Sequence, residues 1–170
     1  MTTTTTTTTR PMWGRAVWTF LHVMAQNVDE RRFRAETRLR EDVRALLELV
    51  CSNLPCPDCR QHAAKHLASV QWGAVGTRWD LQLMLFFFHN KVSQRTGNRL
   101  FPMEALGGTY VSASMRATAA ECAAQLGRPV SDMSYAQDNQ RRAHAAMMLL
   151  QWVDAHLQDG SLAESALSVN

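Results

Sequence analysis

Cys56 and Cys59 stand three positions apart in Leu54-Pro-Cys-Pro-Asp-Cys-Arg-Gln-His62, where one apolar helical stretch stops and another helix can begin. Two thiols at that spacing on a helix's first turn can close into a disulfide without rearranging the backbone, so the pair is a candidate redox centre. Pro55 ends the preceding helix, and Pro57 has the fixed φ and missing donor that suit a first helical position. That places Cys56 at the cap. The unpaired amides and dipole at a helix start favour thiolate over thiol, and Arg60 adds positive charge, so a depressed Cys56 pKa is expected. Three chemistries remain open. Cys56, Cys59, His62 and His66 have donor types that zinc accepts, although four ligands crowded on one helical segment rarely wrap a tetrahedral ion. A thioredoxin-like reductase would need alternating strands and helices, a pattern this chain lacks. A helical flavin-dependent thiol oxidase would need an apolar slot, aromatic faces, polar groups and cations for a diphosphate.

The elements that must position these thiols follow from the rest of the sequence. The 170 residues suffice for one domain with a real core, and 46% of them are hydrophobic. A net charge of +3, from 18 basic and 15 acidic residues intermixed along the chain, argues against a nucleic-acid partner. The densest apolar run, Leu83 to Phe88, is far shorter than the roughly 20 residues a membrane span requires. Thr2 to Thr9 read as a disordered tail without the apolar core of a secretory signal, and the expected compartment is the cytoplasm. The four cysteines are too few for a secreted disulfide scaffold.

From Met12 to about Gln26, Val17, Phe20, Leu21 and Met24 recur at helical spacing, and Arg15, Trp18 and His22 share a face. Asp29 to Arg34 reads as a charged connection. A second amphipathic helix carries Leu39, Val43, Leu46, Leu47 and Val50, with Cys51 at its end as a small buried residue. Pro57 to about Val70 forms the third. The fourth, Trp79 to about Thr96, is so apolar that it should be the central buried helix, and it ends in the polar cluster His89-Asn90-Lys91-Val92-Ser93. Lys91, Arg95 and Arg99 are expected to form one basic stripe. Pro102 can open a fifth helix through Leu126 with a soft Gly107-Gly108 interruption. A sixth, Ser134 to about Gln158, should bury Ala143, Met147, Leu150 and Leu157, and the last ten residues should fray. No stretch alternates like a strand, so the expected class is all-α. The divisions expected are a tail over 1–10, a domain over 11–126 and a helical extension over 127–170.

Three spaced motifs, Trp13-Gly-Arg-Ala-Val-Trp-Thr-Phe-Leu-His22, Leu54-Pro-Cys-Pro-Asp-Cys-Arg-Gln-His-Ala63 and His89-Asn90-x-Val92 followed by Gly97, resemble the Erv/ALR flavin-linked sulfhydryl oxidases. The likeness is to the small members carried by large DNA viruses such as poxviruses, and it extends from about Trp13 to Met103. It implies a four-helix bundle with a short fifth helix around FAD, usually as a homodimer. It further implies that Cys59 lies against the flavin and that Cys56 meets a protein dithiol substrate or a small redox carrier protein. Molecular oxygen would be the acceptor, giving hydrogen peroxide. By the same resemblance Trp13, Gly14, Arg15, Trp18 and His22 line the cofactor from the first helix, and His89, Asn90 and Val92 line it from the fourth. The sequence departs from the family pattern at Ser93, where a second asparagine is usual, and at Asn98, where a lysine is usual; Arg95 or Arg99 would replace that cation. No second shuttle pair is present, since Cys51 and Cys122 are single and differently placed. The competing expectation is a non-catalytic helical module with a zinc-bound Cys/His cluster.

Overall fold

The computed structural model describes residues 12–168; the threonine-rich run lies outside them. Helix α1 (Met12–Asn27) is the element the others enclose. From Phe20 through Asn27 every residue is buried, with Phe20, Val23, Met24 and Ala25 at 0% exposure. The fourth predicted helix, here α5 (Arg78–Thr96), does not hold that central place. It buries Leu81, Leu85, Phe86 and Phe88 but turns Trp79 and Phe87 outward, 50% and 59% exposed. Its apolar residues are consecutive, and at roughly 3.6 residues per turn a consecutive run circles the helix instead of forming one face.

Helix α2 (Glu30–Ala35) occupies the stretch expected to be a charged connection. Asp29 caps it by accepting from the Arg32 amide at 2.7 Å, and Arg32 pairs with Glu36 one turn on. Local capping and ion pairing are worth enough for one short turn of helix, which a search for apolar periodicity overlooks. Helices α3 (Thr37–Ser52) and α4 (Pro57–Ser69) pack against each other, and α5 packs on α1. Thr77 and Asp80 form a reciprocal capping box at the start of α5, while Gly97 ends it with φ +68, a left-handed conformation that glycine adopts without strain.

The expected fifth helix is divided. A single 3-10 turn spans Met103–Ala105, the chain then turns through Gly107 and Gly108, and α6 (Met115–Gly127) begins where Ser114 accepts from the Ala117 amide at 3.1 Å. Helix α7 (Ala136–Gln158) packs along α6 and also touches α3. Its buried face is Arg142, Ala145, Ala146, Leu149 and Val153, so the expected face of Ala143, Met147 and Leu150 points outward instead, with Leu157 half-buried. The helices approach closely at Gly127 of α6, where an added Cβ would sit 3.4 Å from the Ala146 Cβ; Leu149 and Val153 are buried further along α7, while Met147 and Leu150 face outward. Nor are the last ten residues all frayed. Ser161, Ala163 and Glu164 exchange backbone hydrogen bonds with Asp29, Asn27 and Met115, and Leu162 pairs with Val28 in an isolated bridge. Among the described residues there is no strand beyond that bridge, and no helix is long and apolar enough to cross a membrane. Cys51 and Cys122 are both buried and free, as a small apolar role requires.

Arg142 is 1% exposed, yet every part of its guanidinium is used. Nη1 donates to the Leu126 and Arg128 carbonyls at 2.7 and 2.9 Å, Nε donates to Asp138 at 2.9 Å and Nη2 to Asn139 at 2.8 Å. This planar fork satisfies the open carbonyls at the end of α6. A lysine keeps the charge but cannot reach four acceptors at once. Arg142→Lys is therefore expected to cost about 2 kcal/mol, a fall of roughly 5 °C in thermal midpoint. An unchanged midpoint would show that the fork does not hold α6 to α7.

Candidate redox site

Cys56 and Cys59 are joined as a disulfide with their Cα atoms 5.2 Å apart. Pro57 is the first residue of α4 and Cys56 is its cap, its Sγ accepting from the Cys59 amide at 3.2 Å. Helix α3 has already ended at Ser52, with Asn53 as its cap, so the redox motif occupies the sequence-expected junction. Cys59 is half-buried and packs against the hydrophobic core, whereas Pro57 and Asp58 beside it are exposed. Arg60 does not stand free beside Cys56 as expected. It donates to Asp138 of α7 at 2.8 Å, so its charge is compensated.

An aromatic wall runs from α4 across α5 to α1. His66, two turns along α4 from Cys59, stacks on Phe88 with centroids 4.1 Å apart. Phe88 meets Trp18 edge-on at 5.2 Å, and Trp18 stacks on His89 at 4.2 Å. His22 lies 3.0 Å from His89 between ring nitrogens and stacks in turn on Phe101 and Tyr110. Burial, and then the neighbouring His89, pushes His22 down to about 3; burial alone pushes His89 down to about 4. Both rings are neutral near pH 7, so one donates and the other accepts. His66 is also lowered, by burial and then by Lys91. Both of its ring nitrogens are buried without a partner, and burying two polar atoms unpaired carries a cost that a bound polar group would remove.

Of the other expected site residues, Trp13 and Val92 pack against the core edge, and a Cβ on Gly14 would meet no atom within 4 Å. Asn90 acts locally. Its side chain donates to the Phe101 carbonyl at 3.0 Å and accepts from the Phe101 amide at 2.7 Å, which holds that ring in the wall. Ser93 is buried, and its carbonyl accepts from the Asn98 amide at the end of α5. Arg15, Lys91 and Arg95 are exposed. Arg99 is exposed too, but it follows the Gly97 cap, so the helical stripe comprises Lys91 and Arg95 without it. The zinc donors are not gathered: His62 is exposed with Nδ1 on the Asp58 carbonyl at 2.7 Å, and among the described residues no three His, Cys, Asp or Glu side chains could hold a metal ion.

A family model described as the Erv1 / Alr family matches residues 15–111. The chain belongs to this family. It is 32% identical over 106 residues to a protein of Arabidopsis thaliana named FAD-linked sulfhydryl oxidase ERV1, covering 62% of this chain and 53% of that one. An Oryza sativa subsp. japonica protein of the same name is 26% identical over 97 residues, 57% and 48% of the two chains. A relative from Invertebrate iridescent virus 3 is 28% identical over 85 residues, 49% of this chain and 55% of its own. The chain thus spans about half the length of the curated relatives it matches, and no solved structure matches it. The Erv1/Alr match takes in the disulfide and the whole aromatic wall but stops before α6 and α7. Phe88, Phe101, Tyr110 and His66 escaped the sequence reading as wall residues. For His66 a signal existed, since position i+7 from Cys59 lies on the same helical face. Phe101 and Tyr110 reach the wall through a returning loop, and nothing in local spacing announces that.

Proposed function

We propose that this chain is a FAD-dependent thiol oxidase that forms disulfides in protein dithiols through Cys56 and Cys59, with oxygen as acceptor and hydrogen peroxide as product. The observation that carries the reading is that α4 supplies both the disulfide and, two turns on, His66, whose unpartnered ring nitrogens stand in the aromatic wall. The donor set fits the cofactor. Trp18, His22 and His89 offer ring faces, Trp13, Gly14 and Val92 an apolar margin, and Arg15, Arg95 and Arg99 cations for a diphosphate, while Asn90 and Ser93 fix the end of α5. A bound FAD would supply a two-electron acceptor for the dithiol and the route by which those electrons reach oxygen.

The protein's own chemistry is disulfide exchange. A substrate thiolate attacks Cys56 Sγ, the Cys56–Cys59 bond breaks, and Cys59 leaves as a thiolate. A second substrate thiolate then attacks the mixed disulfide, releasing Cys56 as a thiolate and leaving the substrate oxidised. The cap position favours this release, because the Cys59 amide and the α4 dipole face the Cys56 sulfur. Cys59, packed against the core, is the cysteine on the cofactor side, and a small protein dithiol is the expected partner at Cys56. A homodimer and a cytoplasmic location belong to the same reading.

The test is direct. Purified protein should carry one FAD per chain, show a flavin spectrum and consume oxygen when given a dithiol. A colourless protein holding one zinc per chain would replace this reading with that of a non-catalytic helical module.

A further inference from the structure

The first turns of α7 hold both flanks of the redox motif through one carboxylate. Asp138 accepts from Arg60 at 2.8 Å, from Arg141 at 2.6 Å and from Arg142 at 2.9 Å. Arg60 directly follows Cys59. On the other flank, Arg141 donates to the Ser52 carbonyl at 2.7 Å and to the Asn53 side-chain oxygen at 3.0 Å, at the cap that leads into Leu54-Pro55-Cys56. Arg142 in turn ties the same carboxylate to the end of α6. Burial pushes the Asp138 carboxyl up, but hydrogen bonds from Arg141, Arg142 and Arg60 outweigh it and hold it at about 2. The charge is therefore fixed throughout the range in which thiols exchange.

We infer that Asp138 is a positioning residue for disulfide exchange, setting how readily Cys56–Cys59 is reduced by neutralising Arg60 and holding it against α7. The charged groups bonded to the motif's flanks are Arg60 on α4 and Asp138, Arg141 and Arg142 on α7, with His144 lining the same cavity as Asp138 and Arg141; the acidic partner of Arg60 comes from α7. Residues outside the family match thus tune a motif inside it. The physical reason is simple: reduction creates thiolate character at a helix start, and thiolate is favoured by uncompensated positive charge. Removing the Asp138 charge leaves Arg60 uncompensated and favours the dithiol. Removing Arg60 leaves Asp138 satisfied by Arg141 and Arg142 and favours the disulfide.

This inference rests on the exchange reading of Cys56–Cys59. Its test equilibrates the full chain and the variants Asp138→Asn and Arg60→Gln anaerobically with dithiothreitol at pH 7. Two electrons and two protons pass to the protein disulfide as dithiothreitol closes into its cyclic disulfide, and alkylation with mass mapping of the Cys56–Cys59 peptide counts the reduced fraction. Asp138→Asn should be easier to reduce by at least ~3-fold in equilibrium constant and Arg60→Gln harder by about the same factor. The opposed signs are the signature, since a purely structural clamp would lower melting temperatures without moving the two constants in opposite directions. Arg60→Gln keeps two of the three arginines on Asp138, so it provides a readout even if Asp138→Asn folds poorly. If either folded variant keeps the wild-type constant, or both move together, the inference fails. A wild-type pair that cannot be reversibly reduced would instead overturn the exchange reading itself.

Discussion

Cys59→Ser is expected to abolish dithiol oxidation, with turnover reduced at least ~1000-fold, and Cys56→Ser is expected to do the same. Neither serine can form or break a disulfide, so each variant removes the bond whose cleavage starts the proposed cycle. Loss of activity alone would not separate the two roles; their surroundings do. Both cysteines are half-buried, but Cys56 is the cap, with a helix-end amide on its sulfur, while Cys59 packs against the core. The remaining thiol of Cys59→Ser should therefore attack an aromatic disulfide dye at least ~10-fold faster than the remaining thiol of Cys56→Ser. Cys51 and Cys122 will not obscure the comparison, since both are buried and burial pushes each thiol up to about 12. The reverse order of rates would exchange the assignments of the two cysteines.

The redox motif was legible because its information is local. Proline at the first helical position, a capping cysteine and a second thiol three residues on specify one geometry whatever packs around them. Apolar spacing likewise locates α1, and one-turn spacing puts Trp18 and His22 on one side, although burial from Phe20 through Asn27 runs right round the helix. What escaped the sequence depends on partners distant along the chain. Asp138 lies 78 residues from Arg60, and only the packing of α7 brings them together. Hydrophobicity alone favours Met147 and Leu150 for the inward face of α7, whereas packing buries Ala145, Ala146, Leu149, Val153 and a fully bonded Arg142. Arg99 leaves the stripe because Gly97, where the fourth helix is expected to close, turns the chain away, and a four-residue spacing marks one face only while the helix continues.

Acid should loosen this protein through its aromatic wall before it touches its carboxylates. In the unfolded chain His22 and His89 take up protons near 6.5; in the fold they do so only near 3 and 4, lowered chiefly by burial. Between those limits the unfolded state binds more protons, so stability is fully present above about 6.5 and falls as pH falls through that interval. At pH 4.5 the two together should cost on the order of 5 kcal/mol in nearly equal shares, because that pH lies well below the unfolded value and above both folded ones. Asp138 works in a separate window, its contribution being lost only between 3.8 and about 2. Thermal midpoints measured from pH 7 to 4.5 should therefore fall steadily, and His89→Phe, which keeps a ring against Trp18 but removes one titrating group, should flatten the slope. A wild-type midpoint that is level across this range, or an unaltered slope in the variant, would remove the histidines from the account. Where both imidazoles become charged, two cations stand 3.0 Å apart with no carboxylate among the described residues bonded to either ring, and their repulsion acts on the stack of Trp18 against His89. Trp18 fluorescence should then change at a higher pH than far-ultraviolet helix content, because the first consequence of protonation is separation of the rings rather than unwinding of α1.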